Sequence, residues 1–234
     1  RYLYRDKQLN INSYINNGII NKEKYRKDLL KKRSLLGVEQ QNWIREKVSE
    51  KFKWSIFGQQ LLIGPKHLPH LLRDFEISEL PNYLKNIIDL AGAKLPYNTD
   101  QWDGYPNERE LFYRNIEASQ SSVILAGDSH DSWLSNLYDK KEKFVGIEIG
   151  APSITSPNSI DTFGEKINKI EDGFIQENRD LEWINGKNKG YVQLAVSNEN
   201  INVKYHYVST VKSKKYKALQ PFTFTIDHNQ PLKS

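Results

Sequence analysis

Ser122-Val123-Ile124-Leu125-Ala126 runs directly into Gly127-Asp128-Ser129-His130. A short, continuous apolar run closed by a glycine is the pattern of a central strand buried on both faces. In an extended segment, residues i and i+2 point to the same side. A strand ending here therefore places Asp128 and His130 toward one space. A carboxylate oxygen and an imidazole nitrogen converging at a strand end suit a metal used for hydrolysis. Gly127 is expected to permit a tight exit that a side chain would hinder. Taken by spacing alone, the plainer reading of Asp-X-His is the commoner one: a turn residue beside a satisfied histidine. Ser129 sits between the two, but sequence neighbours do not make a triad, whose members must meet in space.

Working outward, Pro106 is placed to open a helix running to about Ala118, since its missing N–H is an orphan at that position anyway. Phe144 to Ile149 reads as the next strand. On the N-terminal side, residues 22–33 are helix-compatible and polar, and Gly37 breaks the chain before a second helix. There Trp43, Ile44, Val48 and Phe52 recur at helical spacing. Trp54-Ser55-Ile56-Phe57 reads as a short buried strand. Residues 64–100 carry several Pro and Gly and are expected to form a surface excursion with one short helix near Tyr83 to Leu90. Toward the C-terminus, Tyr191 to Val196 and Ile201 to Val208 flank the polar turn Ser197-Asn198-Glu199-Asn200, a hairpin signature, and Phe222 to Ile226 adds an alternating strand. Helices interleave with strands over the first 150 residues and strands dominate later, so the class is mixed α/β with a β-rich C-terminal segment.

The 234 residues are 38% hydrophobic and 27% charged, which fits a globular chain with a real core. No apolar run approaches the roughly 20 residues a membrane-spanning helix needs. Cys is absent, which excludes disulfides and thiolate metal sites, so a bound metal must take oxygen or imidazole ligands. Met is absent as well, position 1 included, which predicts an N-terminus that is not the translational start. Arg1-Tyr2-Leu3-Tyr4-Arg5-Asp6 has no apolar stretch of the kind a secretory signal carries. The net charge is +5, with the surplus gathered over Lys22 to Lys32 and Lys212 to Lys217. Such a balance allows attraction of anionic substrates, of nucleic acid or of a membrane surface, while solvated helix and loop faces are the commoner explanation.

Five blocks follow one another in order. They are Leu35-Leu36-Gly37-Val38-Glu39-Gln40-Gln41-Asn42-Trp43, Trp54-Ser55-Ile56-Phe57-Gly58-Gln59-Gln60, Asp100-Gln101-Trp102-Asp103-Gly104-Tyr105-Pro106-Asn107-Glu108-Arg109, Gly127-Asp128-Ser129-His130-Asp131-Ser132-Trp133 and Ala151-Pro152-Ser153-Ile154-Thr155-Ser156. Each is modest alone. Together, over about residues 33–208, the series resembles the C-terminal half of PhoD-like alkaline phosphatases of the metallophosphoesterase superfamily.

The resemblance implies part of a four-layer α/β/β/α sandwich, with the chain as a single domain lacking an N-terminal half that would bring further metal ligands. It also implies metal-dependent hydrolysis of phosphate monoesters, and of diesters in addition, in a periplasmic or extracellular setting, with iron and calcium as cofactors. Asp128 and His130 fall where the family places late metal ligands. Gln60 is read as a polar group facing substrate or backing the site. Asp103 and Arg109 are read as bracing the site wall, and Trp102 and Tyr105 as core. His67, His70, His206 and His228 have no motif around them and are read as surface or packing residues. The partner implied is a small phosphate ester, with no specific nucleic acid and no transmembrane segment. Two other readings stand beside it: a non-catalytic phosphate- or polyanion-binding remnant of the same fold, and a basic nucleic-acid-binding domain whose binding weakens steeply with salt.

Overall fold

The structure, a computed structural model, describes residues 5–48 and 51–232. A small hairpin of β1 (Ile15–Asn16) and β2 (Ile19–Ile20) precedes α1 (Lys22–Leu29) and α2 (Gly37–Lys47). Next come β3 (Ser55–Gly58), α3 (Asn82–Lys85), α4 (Pro106–Asn115), β4 (Ser122–Ala126), β5 (Ser132–Tyr138) and β6 (Phe144–Gly150). The chain continues through α5 (Ser159–Phe163), α6 (Ile167–Glu177), β7 (Leu181–Asn185), β8 (Lys189–Val196), β9 (Asn200–Val208) and β10 (Phe222–Asp227).

Five strands form one mixed sheet in the order β3-β4-β6-β5-β7, in which β3, β4 and β6 are parallel and β5 runs antiparallel to both of its neighbours. The apolar run of β4 lies inside this sheet, with Val123 and Ile124 fully buried on opposite faces, as its sequence predicts. One face of the sheet packs on the helical segments, joining Ile124 and Leu137 to Trp102, Phe112 and Tyr113. The other packs on the antiparallel sheet β10-β9-β8. There Val123, Leu134, Ile147 and Ile149 meet Ile201, Val203, Tyr205 and Ile226. At about 1.5–3 kcal/mol for each fully buried aliphatic or aromatic side chain, this sheet-on-sheet contact is a large share of what holds the fold together. Two phenols tie the layers with directional bonds: Tyr205 Oη donates to Trp133 O (2.8 Å) and Tyr207 Oη to Ser132 Oγ (2.8 Å). Helices, large sheet and small sheet make three layers of an α/β/β/α arrangement.

Three expectations are corrected. The segment 64–100 is no surface excursion, because its short helical turns and the links between them bury Leu68, Leu72, Leu80, Leu84, Leu90 and Leu95 in one cluster. There α6 approaches so closely that a Cβ on Gly173 would sit 2.2 Å from the Leu71 side chain. The strand β3 is an edge strand rather than a buried one, with Ile56 44% exposed. Along α2 and its C-cap, Ile44 and Val48 face the core as their spacing predicts, but Trp43 (59%) is exposed, and the helix ends at Lys47, before Phe52 (61% exposed). The inward face carries Ile44 and a polar contact as well, Gln41 Nε2 donating to Glu108 Oε1 (3.0 Å) and Gln41 Oε1 accepting from Asn115 Nδ2 (2.7 Å).

Candidate metal centre

The parallel register of β3, β4 and β6 brings three strand ends together: Gln60 just past β3, Asp128 to His130 past β4, and Ala151 onward past β6. The carboxyl ends of neighbouring parallel strands are where open α/β sheets ordinarily bind ligands. Backbone bonds sew the three exits to one another. The carbonyl of Gln60 accepts from both Gly127 N (3.1 Å) and Asp128 N (3.0 Å). Ala151 N donates to Ala126 O (2.7 Å), Ser153 N to His130 O (2.9 Å), and Gly190 N, from the start of β8, to Ser153 O (3.0 Å).

The local geometry differs from a simple continuation of the strand. Residues 128 and 129 form a turn, and His130 adopts φ +68°, the left-handed region that side chains other than glycine rarely occupy. Asp128 and His130 therefore leave the sheet not from a continued pleat but from a turn fastened to Gln60. Gly127 plays no steric role in it, because a Cβ there would meet only Ala151 Cβ at 4.0 Å and its φ is not left-handed.

Asp128 is exposed and His130 half-buried. His130 Nδ1 lies 3.0 Å from Pro157 O. A carbonyl can only accept, so Nδ1 carries a proton, and in the neutral ring Nε2 is then the nitrogen with the lone pair. An imidazole that gives one N–H to a backbone carbonyl and keeps the other nitrogen bare is the arrangement metal-binding histidines adopt. Asp131, the next residue, is buried and accepts from Ser159 N (2.9 Å) and Ser159 Oγ (2.6 Å). Burial pushes its carboxyl above the ordinary range, against the pull of the two Ser159 bonds. On the other side of the same loop, Lys189 Nζ donates to Ser156 O, Asn158 Oδ1 and Asp161 Oδ2. That bond holds the Asp161 carboxyl below its usual range.

The side chain of Gln60 is exposed at this end of the sheet. Asp103 and Arg109 meet each other (2.6 Å) and secure segment 63–66: Arg109 Nη1 donates to Ile63 O (3.2 Å), and Lys66 N to Asp103 Oδ2 (2.9 Å). Their bonds end in that segment and not at residues 127–130. The same segment delivers Lys66 to Glu148 in the middle of β6 (3.5 Å), both fully buried, with Ile63 N on Glu148 Oε1 (2.5 Å). Trp102 and Tyr105 are core residues. Among the remaining histidines, His206 pairs with Gln193 and stacks on Tyr191, and His228 packs edge-on to Trp54. Pro157, Asp131, Ser159 and Lys189 carried no individual signal in the sequence, although Asp131 stands inside the Gly-Asp-Ser-His-Asp block.

Among the described residues no three His, Asp or Glu side chains group as a metal cage. Asp128 and His130 are one carboxylate and one imidazole at this end of the sheet, fewer donors than a complete metal site needs.

Residues 2–205 match the family model for PhoD-like phosphatase, and the chain belongs to that family. Alkaline phosphatase D of Bacillus subtilis (strain 168) is 29% identical over 172 residues, covering 70% of this chain and 25% of that protein. A solved structure of PhoD superposes with a TM-score of 0.67 at 24% identity, over 96% of this chain and 38% of that one, a likeness of fold. The chain thus spans about a quarter of the curated relative's length.

Proposed function

We propose that Asp128 and His130 are metal ligands of a phosphatase that hydrolyses phosphate esters, small monoesters first and diesters in addition, releasing inorganic phosphate. The observation that carries this reading is the His130 Nδ1–Pro157 O bond, which leaves Nε2 bare at the ends of the parallel strands. Family membership supports the reaction class. We read residues 1–234 as one domain contributing part of the centre. One imidazole nitrogen beside carboxylate oxygen suits iron, and further carboxylate and carbonyl oxygens suit calcium. Bound metal would polarise the phosphoryl group and lower the pKa of an attacking water.

The chain's own residues do the positioning. The Gln60 carbonyl anchors the turn, Asp128 places its carboxyl group at the exposed end of the sheet, and the His130 ring is held through Nδ1 by Pro157. Asp103 and Arg109 keep segment 63–66 in place behind the sheet and take no part in bond making. A periplasmic or extracellular setting belongs to this proposal, and no helix among the described residues is long and apolar enough to cross a membrane. The test is phosphate release by the full-length protein: His130→Ala and Asp128→Asn should each abolish turnover of an aryl phosphate while thermal unfolding stays cooperative. Retained turnover in either variant would remove that residue from the centre.

A further inference from the structure

Segment 156–159 is gripped from two sides, and the residue between the grips is Pro157. On one side Lys189 Nζ donates to Ser156 O (2.7 Å), Asn158 Oδ1 (2.9 Å) and Asp161 Oδ2 (2.9 Å). An ammonium has three donors, and all three are used here. Its acceptors are not incidental: Asn158 and Asp161 are the two members of the capping box that opens α5. On the other side Asp131 takes both the amide and the hydroxyl of Ser159. Proline has no N–H with which to tie itself down, so the place of its carbonyl is set by these neighbours. Lys189 is itself fixed, largely buried at the start of β8, where the next residue, Gly190, is bonded to Ser153 O.

We propose that Lys189 is a positioning residue for His130. Its ammonium draws three acceptors into one point and so holds the Pro157 carbonyl on Nδ1–H. The ring is thereby held in the form whose Nε2 lone pair is available. Without the ammonium, the Ser156 carbonyl keeps only Ser153 Oγ (2.7 Å) and the Asp161 carboxylate keeps the Asn158 amide (3.1 Å), and no single donor draws Ser156 O, Asn158 Oδ1 and Asp161 Oδ2 to one point. They move apart, and Pro157 leaves the imidazole. The inference deepens the reading of His130 as a ligand and rests on it. Nothing in the motif blocks marks Lys189, which lies 59 residues beyond His130 on a different sheet.

The experiment reads the tautomer directly and needs no metal. Full-length protein labelled with 15N-histidine is examined by long-range 1H–15N spectra well above the ordinary histidine pKa, with His130→Gln identifying the resonances. In the wild type Nδ1 is protonated and Nε2 bare. Lys189→Met, which keeps the aliphatic stem, should give a mixture with protonated Nε2, and Lys189→Arg should restore the wild-type pattern. Metal affinity in Lys189→Met should fall about 10-fold, the lower end of what indirect partners contribute. An unchanged tautomer in a folded Lys189→Met overturns the role of Lys189 and leaves the ligand reading intact. A wild-type His130 protonated on Nε2 overturns both. Should Lys189→Met not fold, Asp161→Ala removes one of the gathered acceptors instead. A smaller shift in the same direction is then expected, and no shift overturns the proposal.

Discussion

Replacing His130 by glycine should leave a more stable protein than replacing it by alanine, the reverse of the usual order. The backbone at this position holds φ +68°. For an L-residue the left-handed conformation costs roughly 1–2 kcal/mol, a cost glycine does not carry. Both variants lose the bond to Pro157, worth about 1 kcal/mol. They differ in that alanine keeps the backbone strain, while glycine sheds it but loses about 0.5–1 kcal/mol of chain entropy on folding. The net difference comes to about 1 kcal/mol in favour of glycine, which for a chain of this size is roughly 2–4 °C in the thermal midpoint. Calorimetry on the two variants decides it. A midpoint for His130→Ala equal to or above that of His130→Gly would refute the strain. With it would go the view that the fold tolerates an unfavourable backbone in order to present an imidazole.

Lys66→Met strands the Glu148 carboxylate in the core and should cost about 3–5 kcal/mol near neutral pH, as broken buried pairs do. Burial already raises the Glu148 carboxyl above its ordinary 4.5, outweighing Lys66 and the Ile63 and Gly64 amides. The native state therefore holds that proton to higher pH than the unfolded chain, and this group's contribution falls as pH rises above 4.5 through its folded value. Denaturant titrations should show the Lys66→Met defect shrinking toward pH 5 and Glu148→Gln flattening the slope; a pH-independent defect would contradict this. The exposed lysines of the 212–217 loop lie close enough for Lys212 to act on Asp161, beside the site. Neutralising Lys212, Lys214 and Lys215 should lower kcat/KM for an anionic ester and weaken its salt dependence while kcat holds, and an unchanged salt dependence would rule out steering.

What the sequence could reveal divides along physical lines. The strand β4 is legible because every residue from Val123 to Ala126 is apolar, and α4 because Pro106 opens it. The β8–β9 hairpin shows by alternation around a polar turn. The strand β5 is hidden because its interior is polar: Ser135 and Asn136 are buried, the first receiving Lys66 Nζ (3.2 Å) and the second bonding Glu182 (2.7 Å). In α2 the apolar pattern places Ile44 correctly and Trp43 not, for a related reason, since Gln41 faces inward and Trp43 outward. At the site, the block Gly127 to His130 marks the right strand end, but no local pattern shows that a lysine on β8 and a proline carbonyl set the imidazole. Those contacts join positions 27 and 59 residues away from His130, a separation that only the fold closes.

The central claim is that Asp128 and His130 hold catalytic metal. Its most direct test is the metal content of the full-length protein, measured by elemental analysis after equilibration and desalting, for the wild type, Asp128→Asn and His130→Gln. Each substitution should lower bound metal per chain while the far-ultraviolet circular dichroism stays that of the wild type. Variants that keep the full wild-type complement of metal would contradict the account, and place the ligands elsewhere in the protein.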